Sequence, residues 1–167
     1  MSGSLTLAQA QLEALPVLDQ IALFTKTQQF RRLALNKVSA DFRQEKGKLE
    51  VRNFVAESQG LIRIEGGFAV VNGMIDGTFQ VGVVPTSLQW LPGSQERVFT
   101  QQRAGYLWTP MRLSGPLSKP GEDLSPRLIA AAQGAIIQGV ENSVRDTIQT
   151  GKDAAKGALD FLMPLFK

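Results

Sequence analysis

Residues 38–83 read VSADFRQEKGKLEVRNFVAESQGLIRIEGGFAVVNGMIDGTFQVGV, and this stretch decides the fold. Val38, Ala40 and Phe42 alternate with Ser39, Asp41 and Arg43. Ile62, Ile64, Phe68 and Val70 share a side, with Arg63 and Glu65 opposite. Ile75, Phe79, Val81 and Val83 repeat the pattern against Asp76, Thr78 and Gln80. Alternation with a period of two marks strands with one apolar face. Asn72-Gly73 between two such runs is a strong hairpin signal. Turns also fall at Glu45-Lys46-Gly47-Lys48 and Ser58-Gln59-Gly60. The stretch therefore predicts an antiparallel meander of four strands, each about eight to twelve residues long. Asn53 to Ala56 breaks the alternation set by Leu49 and Val51, and a β-bulge there would move Phe54 onto their face. Gly66-Gly67, in mid-strand, predicts a bend or a close backbone contact.

Pro85 ends the fourth strand, and residues 87–91 fit one helical turn closed by Pro92-Gly93. Val98-Phe99 and residues 105–114 predict a fifth strand, with Leu107, Met111 and Leu113 on one side and Tyr106 and Trp108 on the other. Pro110 places that strand towards a sheet edge. Ser125-Pro126 then opens a helix, Ser as cap and Pro in the first turn. Leu128, Ala132, Ile136, Val140, Val144 and Ile148 recur every fourth residue, with Ile129 and Ile137 widening the stripe. The result is a helix of about 24 residues, about 36 Å long. A short final helix is expected over Asp153–Met163, stopped by Pro164.

On the N-terminal side, residues 6–33 predict two or three short helices covering one end or face of the sheet. Thr6 would cap the first, and Pro16 would open the second. Met1-Ser2-Gly3-Ser4 reads as an added leader outside the fold, with the natural protein running longer at its N-terminus. The fold class is α+β: a twisted antiparallel meander of five or more strands, short N-terminal helices, a long C-terminal helix and a short terminal one. Residues 5–124 form the helical segment and meander, and residues 125–167 the C-terminal helical region of the same domain.

A chain of 167 residues is long enough to bury a core as one domain. Cysteine and histidine are both absent, which excludes disulfides, Cys/His metal sites and Ser-His or Cys-His nucleophile pairs. Neither a metal nor a cofactor is expected. The net charge of +3 is spread thinly, with no basic stripe, so nucleic acid is not an expected partner. No apolar run reaches the length of a membrane span, and no signal peptide is legible. Ser94, Ser114, Ser118-Lys119, Asp41, Glu45 and Asp123 carry reactive groups but sit in no nucleophile motif, and solvated loop positions account for them. The chain is not expected to be an enzyme.

Several ordered motifs resemble the C-terminal region of AsmA-like proteins. They begin with Leu12…Leu15-Pro16-Val17-Leu18, Phe30…Leu33, Val38-Ser39-Ala40-Asp41-Phe42, the Gly47 turn and Leu49-Glu50-Val51. Glu57-Ser58…Gly60-Leu61-Ile62…Gly66 and Asn72-Gly73…Ile75-Asp76-Gly77-Thr78-Phe79 follow. Leu91-Pro92-Gly93…Val98-Phe99 and Ser114-Gly115-Pro116-Leu117…Pro120…Glu122-Asp123-Leu124 complete the series. The resemblance covers residues 10 to 128. It implies a periplasmic module of an inner-membrane-anchored protein of Gram-negative-type bacteria, whose sheet forms a gutter with an apolar inside. It also implies phospholipid movement between the inner and outer membranes, or outer-membrane homeostasis.

Under that reading, acyl chains would lie on Val38, Phe42, Leu49, Val51, Ile62, Ile64, Phe68, Val70, Ile75, Phe79, Val81 and Val83. The apolar tail, with Phe161, Leu162, Met163, Leu165 and Phe166, would either pack back on the domain or touch a membrane surface or a partner. The alternative is a structural module with a closed core, docking an envelope or outer-membrane protein through Trp90, Tyr106 and Trp108 or through the tail. Open groove and closed core both remain compatible with the residues at this point.

Overall fold

The computed structural model describes residues 1–13, 32–58, 60–89 and 91–148. The predicted meander is its centre. Strands β4 (Lys37–Glu45), β5 (Lys48–Ser58), β6 (Ile62–Val71) and β7 (Met74–Val83) pair antiparallel in sequence order. Lys46-Gly47 and Asn72-Gly73 join them with φ of 43° and 81°, and 50° and 75°. Two consecutive positive φ values match the right-handed strand twist, so these two-residue turns set the register. The break at Asn53 is a bulge: Asn53 sits at φ 51° and the register shifts on both sides of β5. Phe54 thereby comes opposite Gly66. A side chain at position 66 would lie 2.3 Å from the Thr78 carbonyl oxygen and 2.9 Å from the Phe79 ring. Glycine there lets Phe54 meet Phe79 edge-on at 5.9 Å.

β9 (Tyr106–Pro116) extends the sheet beyond β7. Its outer side holds two short partners, β8 (Gln101–Arg103) and β10 (Gly121–Glu122). Pro110 falls in the gap between them, so the edge character expected of β9 is confined to that gap. Val98 and Phe99 are not strand; both are buried at the end of a helical turn, and the strand begins at Gln101.

The N-terminal residues correct the sequence reading. Ser2–Leu7 does not stand outside the fold, and Thr6 caps no helix: the segment is strand β1, paired antiparallel with β4 from Ser2↔Arg43 to Leu7↔Val38. Gly3, Leu5 and Leu7 alternate with Ser2, Ser4 and Thr6, and β4 presents an edge that a short alternating segment can satisfy. The Phe42 ring lies against Gly3, where a Cβ would approach it to 2.9 Å. A second sheet pairs β2 (Ala10–Glu13) with β3 (Arg32–Leu35), where short helices were expected. The rest of the predicted helical segment, residues 14–31, lies outside the described residues. So do the predicted terminal helix and Trp90.

Three helices complete the described fold. α1 (Pro85–Leu88) and α2 (Ser94–Arg97) are single turns after β7. α3 (Leu124–Ile148) is the predicted long helix. Its cap is not Ser125: the Glu122 carboxylate accepts from the backbone N–H of Leu124 (2.6 Å) and of Ser125 (2.8 Å). One side chain serving two first-turn donors, with its negative charge at the helix N-terminus, outcompetes a single hydroxyl. Leu128 and Ala132 of the predicted stripe are buried, whereas Ile129 and Ile137 are exposed.

The core forms between one end of the sheet and the helices. Ala56, Ile62, Ile64, Phe79, Val81, Val83 and Met111 pack with Leu88, Leu91, Val98, Phe99, Leu124, Leu128 and Ala131. Thr109 is buried on the same face and receives the Arg127 guanidinium, which also donates to the Pro110 carbonyl and so ties α3 to β9 across the gap.

Candidate functional site

The registers place all twelve predicted groove residues on one face. Residues directly opposite one another in a sheet project from the same side. One row runs Leu7–Val38–Ala56–Ile64–Val81–Thr109 across six strands. A second runs Gly3–Phe42–Val51–Phe68–Gly77–Leu113, and a third joins Leu49, Val70, Ile75 and Gly115. Ile62 lies opposite Val83, and Phe79 opposite Gly66 and Met111.

This face divides along its length. Ile62, Ile64, Phe79, Val81 and Val83 are buried within the cluster that contains the helical side chains, with Val38 and Phe68 packed at its margin. Phe42, Leu49, Val51, Val70 and Ile75 stand outside that cluster. Of these, Phe42, Leu49 and Val70 are half-buried, and Val51 and Ile75 are shielded by their neighbours. Phe68 and Phe79, with ring centroids 6.3 Å apart, mark the boundary. Towards β1 the same face ends in Leu5 and Leu7, 48% and 41% exposed. Residues 6–33 read as helical, with Thr6 as a cap, so the strand pairing of these two leucines was missed; their period-two spacing was the available signal.

The opposite face is charged and internally paired. Arg63 bridges Glu57 (2.9 Å) and Glu65 (2.7 Å), and Arg103 reaches Glu65 at 2.8 Å. Burial pushes the Glu65 carboxyl up, but the hydrogen bonds from Arg63 and Arg103 outweigh it and hold it below the usual carboxylate range. Glu50 is likewise held low by its hydrogen bond from Arg52. A depression of about 410 Å³ lies on this face, edged by Glu50, Arg52, Asp76, Thr78 and Arg112. Its charges answer one another, Arg52 to Glu50 at 2.8 Å and Arg112 to Asp76 at 3.3 Å. A charged ligand would have to displace those pairs, so the depression is the weaker candidate.

Of the aromatic residues considered for partner docking, Tyr106 and Trp108 are engaged within the fold. Trp108 is 2% exposed, beneath the Arg103 guanidinium at 4.1 Å, and donates its indole N–H to the Arg103 carbonyl at 2.9 Å. Tyr106 packs edge-on to Trp108 and points its hydroxyl to Glu57. The tail residues Phe161, Leu162, Met163, Leu165 and Phe166 lie outside the described residues. Ser94 is fully buried, with its hydroxyl donated to the Leu88 and Leu91 carbonyls, a role in joining α1 to α2.

Among the described residues, no helix is long and apolar enough to cross a membrane, and no group of three or more acidic, His or Cys side chains could hold a metal ion. No family model, curated protein or solved structure matches this chain.

Proposed function

We propose that the chain is a non-enzymatic lipid-handling module of a bacterial envelope protein, and that the half of its apolar face over which no helix lies among the described residues receives phospholipid acyl chains. The observation that carries this reading is the division of the face. One end packs against α1, α2 and α3, while Phe42, Leu49 and Val70 continue the same apolar surface outside that cluster, only partly buried. A sheet face of this kind needs a cover of helix, sheet or lipid. Acyl chains suit it because burial is non-directional, worth about 0.8 kcal/mol per CH₂. A wall of similar side chains therefore holds a chain with nearly equal energy at successive positions and lets it slide. The motif resemblance to AsmA-like proteins adds the setting: phospholipid transport or outer-membrane homeostasis, in the periplasm.

Native mass spectrometry and lipid extraction, on protein purified without detergent, test the proposal. Phospholipid is expected to co-purify, and to be lost in the Phe42→Asp, Leu49→Asp and Val70→Asp variants while their far-UV circular dichroism is kept. These positions lie outside the packed cluster, so charge there removes the ligand surface without entering the core. A folded, lipid-free protein that takes up no fluorescent phospholipid would overturn it.

A further inference from the structure

The two edges of the main sheet are built differently. On the β9 edge the partners are short, Pro110 interrupts the ladder, and side chains occupy the gap: the Arg112 N–H donates to Asp123 and the Pro110 carbonyl accepts from Arg127. These are the usual devices that stop a sheet from growing. Among the described residues, the β1 edge has none of them. Its six residues, SGSLTL, are all exposed and contain no proline, no charge and no bulge. The Met1 ammonium donates to the Gln44 carbonyl, and the Gln44 N–H donates back to the Met1 carbonyl. By the antiparallel alternation, Gly3, Leu5 and Leu7 also direct their backbone groups at β4. The N–H and C=O groups of Ser2, Ser4 and Thr6 therefore point outwards.

We infer that this edge is a homodimer interface, in which β1 of a second copy pairs antiparallel with it about a two-fold axis at Ser4. The strand is complementary to itself in this register. Ser4 faces Ser4 and Ser2 faces Thr6, so each outward donor and acceptor of both strands finds a partner, about six hydrogen bonds in all. Leu5 falls opposite Gly3 of the second copy, beside the Phe42 ring, and both lie on the apolar face. A one-residue slip would place the leucines against the charged face. A two-residue slip towards Leu5↔Leu5 would leave the Ser2 groups beyond the partner strand. With no charge in β1, no like-charge pair opposes the contact, and the partly exposed Leu5 and Leu7 gain cover. The two apolar faces then adjoin on one side of a continuous sheet. The inference rests on backbone groups and does not depend on the lipid reading.

Sedimentation equilibrium of the full chain tests it. The expected mass is twice the 18.2 kDa of one chain. Ser4→Pro removes an outward N–H and no β1–β4 bond, so it is expected to give a folded monomer. A nitroxide on Ser4→Cys, in an otherwise cysteine-free chain, is expected to show dipolar broadening absent from the same label on Ser118→Cys. A folded wild-type monomer at every concentration, a folded Ser4→Pro dimer, or a dimer without broadening at Ser4 would each overturn the inference.

Discussion

Arg127 shows how one side chain replaces missing backbone pairing. Between β8 and β10 the outer edge of β9 has no strand, and Arg127 fills that gap through the Thr109 hydroxyl at 3.0 Å and the Pro110 carbonyl, while its Nε donates to the Asp123 carbonyl at 3.2 Å. Thr109 is fully buried, so losing its charged partner leaves a desolvated hydroxyl. Arg127→Ala is expected to destabilise the fold by about 1–3 kcal/mol, read as a lower urea midpoint with an unchanged slope. A midpoint within error of the wild type would show that the contact carries no stability. At the same scale, the broken alternation at Asn53 correctly announced a bulge, because one inserted residue reverses every later side chain. The cap was misread for a complementary reason. Ser125 satisfies the local rule, but Glu122, held by pairing with Leu113, reaches the same donors with a charge.

At the scale of elements, β6 carries a carboxyl that ties its stability to pH. Glu65 is held below its ordinary range by Arg63 and Arg103 against the opposing effect of burial. A carboxyl with a depressed folded pKa contributes stability that is present above its unfolded pKa and lost as pH falls through the folded one. The melting temperature of the wild type is therefore expected to fall on acidification below about pH 4.3, the ordinary Glu value. Glu65→Gln should start lower at neutral pH and show a flatter acid limb; parallel curves for the two proteins would contradict this. The meander itself was legible because Asn72-Gly73 and Lys46-Gly47 fix turns locally, and alternation fixes faces. β1 was not legible: six residues with two leucines carry little signal, and what makes them a strand is the edge of β4, more than thirty residues away in sequence. Ile129 and Ile137 fit the helical period of α3 yet face solvent, because the stripe is wider than the surface it meets.

For the whole molecule, the deciding feature is how far the helices reach across the apolar face. No local pattern encodes that reach. The twelve residues from Val38 to Val83 read correctly as one face, but alternation does not say that Ile62 and Val83 pack with the helices while, among the described residues, Leu49 and Val70 do not. That depends on α1 and α2 turning back over the end of β7 and on Arg127 fixing α3 against β9. The central claim, that the half outside the helical cluster binds acyl chains, is a claim about one side of the sheet. It is tested most directly by photo-crosslinking in phospholipid vesicles, with benzophenone side chains at Leu49 or Val70 and, on the opposite face, at the adjacent Glu50 or Ala69. The account predicts phospholipid adducts from Leu49 and Val70 and none from Glu50 and Ala69. Equal labelling of both faces, or no adduct from the apolar one, would contradict it.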